Sequence, residues 1–127
     1  MAEDLKIEAT KSTPEITLDV ETNHMVLKGR SLPENTRQFY DPVKSWLNSY
    51  SPSEGAAITM DINFTYVSSS SLIALLSMIK QLRLHTDRGC SLKVNWYYEK
   101  YDEDMLSIGE DIQHLSDVFF EYIEVPE

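Results

Sequence analysis

The chain has 127 residues, of which 42% are apolar and 25% are charged, a composition typical of a folded domain rather than a disordered segment. Its formal net charge of −10 arises from 21 acidic and 11 basic residues. Such a surface repels phosphate backbones, which argues against a nucleic-acid partner. The single cysteine, Cys90, excludes an internal disulfide and a cysteine-based zinc site.

The chain is expected to form one domain over residues 1–127, because no repeat, low-complexity tract or linker divides it. Residues 1–6 lack the basic start and apolar stretch of a signal peptide. No run of residues approaches the roughly 18 apolar positions that a membrane helix needs. We therefore expect a cytoplasmic protein that does not insert directly into a membrane.

The first third of the chain has the alternation of short strands. Residues 5–9 predict one strand, which residues 10–14 interrupt. Residues 15–20 and 24–29 then alternate on either side of a turn at 21–23, which predicts a hairpin.

A helix is predicted after the loop at 32–35, with Asn35 able to cap it. Pro42 lies inside this segment, so we expect either a kink or a new helix start capped by Asp41. Residues 51–55 end the helix. Its apolar stripe comprises Phe39, Tyr40, Val43, Trp46, Leu47 and Tyr50.

The next predicted strand lies near 57–63 and leads into four consecutive serines, residues 68–71 (hereafter the serine run). A second helix extends from there to about Thr86, before the stop at 87–89. The residues expected on its buried face are Leu72, Leu75, Leu76, Ile79 and Leu82.

The last third predicts a strand at 91–98, a helix opened by Glu103 and Asp104, and a final strand at 118–125. The expected buried stripe of this third helix is Met105, Ile108, Ile112 and Leu115. The resulting order, β-β-β-α-β-α-β-α-β, predicts an α/β fold with a mixed sheet and three helices. The later strands should be joined by right-handed crossovers.

The serine run has two interpretations. Serine is a good N-cap, because its oxygen accepts from N–H groups left free in the first helical turn. The same N–H groups and the positive end of the helix dipole also favour a phosphoryl group. From the residues alone a plain cap is favoured over a site of modification.

Catalysis is not supported by the remaining residues, and no cofactor or metal is expected. The four glycines are too scattered for a nucleotide-binding loop, and no Gly-x-Ser-x-Gly turn surrounds the serines. None of the histidines His24, His85 and His114 has a second histidine at ligand spacing.

Two surfaces are candidates for binding. Ile73 lies beside the serine run on a stripe offset from the core face, where it contributes to a docking surface or is covered by neighbouring loops. The aromatic residues 96–98 form either a contact patch or core and rim of the sheet. An alternative function is therefore a small-ligand-binding domain with a pocket between the serine-bearing helix and this aromatic strand.

Four separated motifs occur along the chain in one order: residues 8–15 (EATKSTPE), 32–35 (LPEN), the serine run, and 94–98 (VNWYY) through 102–104 (DED). Together they resemble the SiaC-like family of bacterial biofilm-regulating phosphoproteins over nearly the full chain. That family looks like a branch of the STAS fold of anti-sigma factor antagonists, in which partner switching depends on a Ser or Thr at a helix start. The resemblance therefore implies a STAS-like domain.

The resemblance also implies a signalling role without enzyme activity. A cognate Ser/Thr kinase would phosphorylate the family's hydroxyl residue, and a PP2C-type phosphatase would remove the group. The unphosphorylated protein would bind and regulate an effector, a diguanylate cyclase in the best-known branch, and so control cyclic di-GMP and biofilm formation.

The family's modified threonine corresponds to Ser69 in this chain, with Ser68 and Ser70 as alternatives because serine replaces the family's Asn and Thr. Ile73 stands where a lysine often follows in the family. The expected partner-binding residues are Ser68, Ser69, Ser70, Ser71 and Ile73.

Overall fold

The computed structural model describes residues 2–126, which form a six-stranded sheet and three α-helices in the predicted order. The elements are β1 (Leu5–Ile7), β2 (Glu15–Asp19), β3 (His24–Ser31), α1 (Thr36–Ser49), β4 (Ala57–Val67), α2 (Ser69–Arg83), β5 (Ser91–Glu99), α3 (Glu103–Ser116) and β6 (Phe119–Val125). A short 3₁₀ helix, Leu84–Arg88, follows α2 directly.

The strands lie side by side in the order in which they occur in the chain. β1, β2 and β3 pair antiparallel, and the predicted hairpin is confirmed with Ile16 opposite Leu27. β3, β4, β5 and β6 pair parallel. Parallel neighbours need a long crossover, and α1, α2 and α3 supply the three that this sheet requires.

One face of the sheet forms the core. Met25, Met60, Val94 and Phe120 are partners in register across four strands, and all are buried. The helices cover this face, since Ser31 of β3 contacts α1 and α2 while Trp96 of β5 contacts α3. The opposite face is more polar and only partly covered; Asp61 there accepts hydrogen bonds from His24 and Asn95, each at 2.8 Å.

Helix α1 begins where the sequence predicts it. Asn35 caps it by accepting a hydrogen bond from the backbone N–H of Gln38 at 3.0 Å. The prediction of a new start at Asp41 is wrong, because one helix continues through Pro42 to Ser49. Pro42 and Gln38 are exposed, so water can satisfy the Gln38 carbonyl that a proline four residues later leaves without its helical donor.

The buried face of α2 is rotated relative to the predicted stripe. Leu75, Ile79 and Leu82 are buried as expected, whereas Leu72 and Leu76 are only half-buried. Ala74 and Met78 take part in the core instead. The α2 helix passes into the 3₁₀ turn and stops at Gly89, whose φ of 89° lies in the left-handed region that glycine adopts without strain.

Helix α3 is capped by Asp102, which accepts from the backbone N–H of Met105 at 3.0 Å. Met105 and Ile112 are buried as predicted, but the prediction that Leu115 is buried is wrong, since 57% of it is exposed. The buried face of α3 runs instead through two small residues, Gly109 and Ser116. Gly109 lies directly against the indole ring of Trp96.

Replacing Gly109 with alanine should destabilise the fold by up to about 2 kcal/mol. A Cβ atom there would lie 2.6 Å from Cδ1 and Nε1 of Trp96, a fully buried ring whose N–H donates to the Met105 carbonyl at 2.9 Å. Alanine would gain about 1 kcal/mol of helix propensity, but overpacking costs about 1–3 kcal/mol and should outweigh it. Urea unfolding measures the difference.

The matched control is Ser107→Ala, at an exposed position of the same helix. It should change the free energy of unfolding by less than about 0.5 kcal/mol. A Gly109→Ala protein at least as stable as the wild type would show that the contact with Trp96 does not restrict this position.

Candidate phosphorylation and docking site

The serine run forms the junction between β4 and α2. Ser68 has extended backbone angles and is the N-cap, its hydroxyl accepting from the backbone N–H of Ser71 at 3.2 Å. The first turn of α2, all of which is described, contains no acidic residue. The helix therefore presents its N–H groups and dipole to any anion placed there, without a competing carboxylate.

Ser71 is buried and belongs to a network of hydroxyls beneath the surface. Ser31 and Ser68 each donate to its Oγ at 2.8 Å, and Ser71 donates to the Ser31 carbonyl at 3.2 Å. Because the Ser31 hydroxyl has only one proton, Tyr40 must donate in the 2.5 Å contact between these two side chains. Burial raises the pKa of Tyr40, while its hydrogen bonds oppose the shift.

This burial corrects one expectation about the site. Ser71 was expected among the residues that contact a partner, yet its side chain faces the core and is inaccessible in the folded domain. Ser71 instead holds the start of α2 against β3 and, through Ser31, against Tyr40 of α1.

The other serines differ in what their hydroxyls contact. Ser70 is exposed, and its Oγ lies 2.7 Å from Oγ1 of Thr36, which joins the start of α2 to the start of α1. Ser69 is exposed at the first position of α2, and its hydroxyl makes no hydrogen bond to any residue in the described range 2–126. Of the four serines, Ser69 therefore has the accessible and uncommitted hydroxyl.

Ile73 lies one helical turn after Ser69 and is 72% exposed. Neighbouring loops therefore do not cover it. It forms a ridge between two hollows. One, of about 460 Å³, lies toward α1 and is lined in part by Arg37, Lys44 and Ser70. The other, of about 230 Å³, lies toward α3 and is mostly apolar.

The alternative function places a pocket between α2 and the aromatic strand β5. Core side chains fill this space. Leu75 and Met78 of α2 and Val94 and Trp96 of β5 are each no more than 1% exposed. Trp96 packs against Phe120 with ring centroids 6.1 Å apart. Of the aromatic residues 96–98, only Tyr97 and Tyr98 reach the surface, where both are half-buried.

Within residues 2–126, no group of three or more His, Cys, Asp or Glu side chains is placed to hold a metal ion. His24 pairs with Asp61 at 2.8 Å, and His85 lies 3.1 Å from Arg88. No helix in the same described range is both long and apolar enough to span a membrane.

The residues that sequence reasoning missed are Ser31, Thr36 and Tyr40. Each is an unremarkable residue in its own strand or helix, and their partners are nine to forty positions away in the chain. Periodicity describes one element at a time, so it contains no signal for hydroxyls that meet only when β3, α1 and α2 pack together.

The fold and the hydroxyl-rich helix start define an α/β domain that presents an exposed serine at a helix N-terminus. Comparison with known families matches residues 7–125 to one described as the SiaC family regulatory phosphoprotein. The chain belongs to this family, and the resemblance noted from the sequence motifs is confirmed.

Known structures agree with this assignment of the fold. Diguanylate cyclase SiaD in complex with its activator SiaC, from Pseudomonas aeruginosa, contains a chain that is 23% identical, with a TM-score of 0.87 over 96% of this chain and 100% of that one. A structure of SiaC from the same organism is 22% identical, with a TM-score of 0.81 and coverage of 98% and 99%. An uncharacterised protein of P. aeruginosa strain UCBPP-PA14 is 24% identical over 110 residues, 87% of each chain.

Replacing Ser71 with alanine should lower the free energy of unfolding by about 1–3 kcal/mol, because it leaves the buried Ser31 hydroxyl and the half-buried Ser68 hydroxyl without their acceptor. The matched control is Ser69→Ala. Ser69 lies next to the cap residue Ser68 but is exposed, so its replacement should change the free energy of unfolding by less than about 0.5 kcal/mol. Both replacements alter helix propensity alike, so urea unfolding of the pair isolates the network. Equal stabilities would contradict a structural role for Ser71.

Proposed function

We propose that this protein is a non-enzymatic partner-switching protein, reversibly phosphorylated on Ser69. Its unphosphorylated form binds and regulates an effector, a diguanylate cyclase, and thereby controls cyclic di-GMP and biofilm formation. A cognate Ser/Thr kinase adds the phosphoryl group and a PP2C-type phosphatase removes it, with the cycle taking place in the cytoplasm.

The observation that supports this most directly is the exposed Ser69 hydroxyl, which is free of the network that engages its neighbours. Membership of a family of regulatory phosphoproteins supports the modification. The effector class is supported by a solved relative, SiaC, which is the activator of a diguanylate cyclase.

Ser69 suits the modification better than Ser68 or Ser70. A phosphoryl group on Ser68 would remove the proton that its hydroxyl donates to Ser71, and one on Ser70 would displace the contact with Thr36. A phosphoryl group on Ser69 breaks no described hydrogen bond. The fold should therefore be the same in both states.

The surroundings also tolerate the added charge, about −1.5 to −2 near neutral pH. Favourable interaction with the α2 dipole is worth about 0.3–1 kcal/mol at an exposed position. The charged residues lining the adjacent hollow, Arg37 and Lys44, are both basic. The group would thus act on partners, which must desolvate a dianion to cover the start of α2.

The alternative, a small-ligand-binding domain, has less support, because core side chains fill the space between α2 and β5. A small molecule that remains bound to the protein through native purification would favour this alternative.

Ser69→Ala should abolish a phosphoryl adduct that intact-mass measurement detects on the protein purified from its native host. Ser70→Ala is the matched control, since it removes another exposed hydroxyl of the same turn and should leave the adduct in place. Retention of the adduct in Ser69→Ala, with loss in Ser68→Ala or Ser70→Ala, would move the site to that neighbour.

The same variants test switching. Ser69→Ala should bind the effector as the unphosphorylated protein does, and Ser69→Asp should bind at least about tenfold more weakly because a buried carboxylate must be desolvated. The two variants serve as baits in a pull-down. Quantitative mass spectrometry then measures, for each captured cyclase, the ratio of the amounts bound to the two baits. Equal capture by both baits would contradict the switch.

A further inference from the structure

The hollow between α1 and α2 (hereafter the basic hollow) concentrates positive charge on an acidic protein. Its charged lining residues are Arg37 and Lys44, both on α1. Neither forms an ion pair with any carboxylate in the described range 2–126. The chain as a whole has a net charge of −10, so two unpaired cations in one concave space form a local site of attraction for an anion.

The hollow on the other side of Ile73 has the opposite charge. The charged residue in its described lining is Asp111 of α3, and α3 begins with Glu103 and Asp104. Ser69 lies one helical turn before Ile73, the ridge between the two hollows. A dianion carried by Ser69 would therefore be repelled on the α3 side and attracted on the α1 side.

Arg37 lies close enough to meet such a group. Oγ1 of Thr36 and Oγ of Ser70 are 2.7 Å apart, so the starts of α1 and α2 are in direct contact. Arg37 and Ser69 are the chain neighbours of this pair, each one Cα–Cα step of about 3.8 Å away. A long arginine side chain and the added phosphoryl group can bridge the separation that remains. Lys44 follows two turns later on the same face of α1.

The chemistry of the two cations suits a phosphoryl group. The arginine guanidinium is planar and always charged, and it offers two parallel N–H donors to phosphate oxygens, whereas lysine acts as a point charge. Asp41 lies between them along α1, but it is exposed and does not line the hollow. Because Arg37 has no carboxylate partner among residues 2–126, it gives up no ion pair when it binds an anion.

We propose that the basic hollow receives the phosphoryl group of modified Ser69, with Arg37 donating hydrogen bonds to it and Lys44 adding a second positive charge. This rests on the proposed function, since it concerns the state that the kinase would produce. The modified side chain is then held against α1 rather than free in solvent. A phosphatase must displace Arg37 to reach the phosphorus atom, so the hollow would influence how long the modified state lasts.

Phosphoserine placed at position 69 of the full chain by genetic encoding tests this without any kinase. The ³¹P NMR signal, followed from about pH 4.5 to 8, gives the pH at which the dianion forms, ordinarily about 6. This midpoint should be at least about 0.5 pH units lower than the ordinary value, because a nearby cation favours the dianion. Arg37→Gln should return it toward the ordinary value, and Lys44→Gln should shift it less in the same direction.

Lys80→Gln is the matched control, because Lys80 is an exposed base of α2 that lines neither hollow. It should leave the midpoint unchanged. Without phosphoserine, Arg37→Gln should unfold at the same urea concentration as the wild type, since Arg37 is exposed. Acids near the start of α2 are the same in every variant and shift all midpoints alike; they are Glu34, Asp41, Glu103, Asp104 and Asp111.

Equal midpoints in the wild-type and Arg37→Gln backgrounds would overturn the inference, and so would an equal response to Lys80→Gln. The intact-mass measurement decides the proposed function separately. An adduct on Ser69 whose midpoint does not depend on Arg37 would keep the function and exclude the hollow. A lowered midpoint that depends on Arg37, with no adduct on the native protein, would keep the hollow and exclude the function.

Discussion

The contact between Ser31, Ser71 and Tyr40 holds the site in its shape. Three hydroxyls from β3, α2 and α1 meet beneath the surface, and the cap residue Ser68 joins them. A buried hydroxyl without a partner is costly, so these elements must assemble together for any of them to be satisfied. These contacts hold the start of α2 in place, while the Ser69 side chain takes no part in them.

This arrangement gives the four serines of the run different contacts. Ser71 and Ser68 stabilise the junction, Ser70 connects it to α1, and Ser69 remains available. The two interpretations of the run, a helix cap and a site of modification, are therefore compatible, since Ser68 caps the helix while the Ser69 hydroxyl stays free for the proposed modification. A modification confined to the free hydroxyl can change what binds the protein while leaving its stability almost unaltered.

Sequence patterns predicted the element order, the hairpin and the helix caps at Asn35 and in the serine run, because these depend on local periodicity and on side chains that bond their own backbone. The patterns failed where packing between elements decides which residues are buried. Leu115 fits a helical stripe but lies outside the core, since the close approach of Gly109 to Trp96 sets the rotation of α3. Ser71 was misplaced because its partner Ser31 is forty residues away.

The sequential order of the strands has a consequence for how other chains can engage the domain. It leaves β1 and β6 as the two edges of the sheet. β1 has only three residues, and β6 carries Glu121 and Glu124 among its seven. Short or charged edge strands discourage backbone pairing with a strand of another chain. Recognition by augmentation of the sheet is thus disfavoured at both edges, which leaves side chains rather than backbone groups to select a partner.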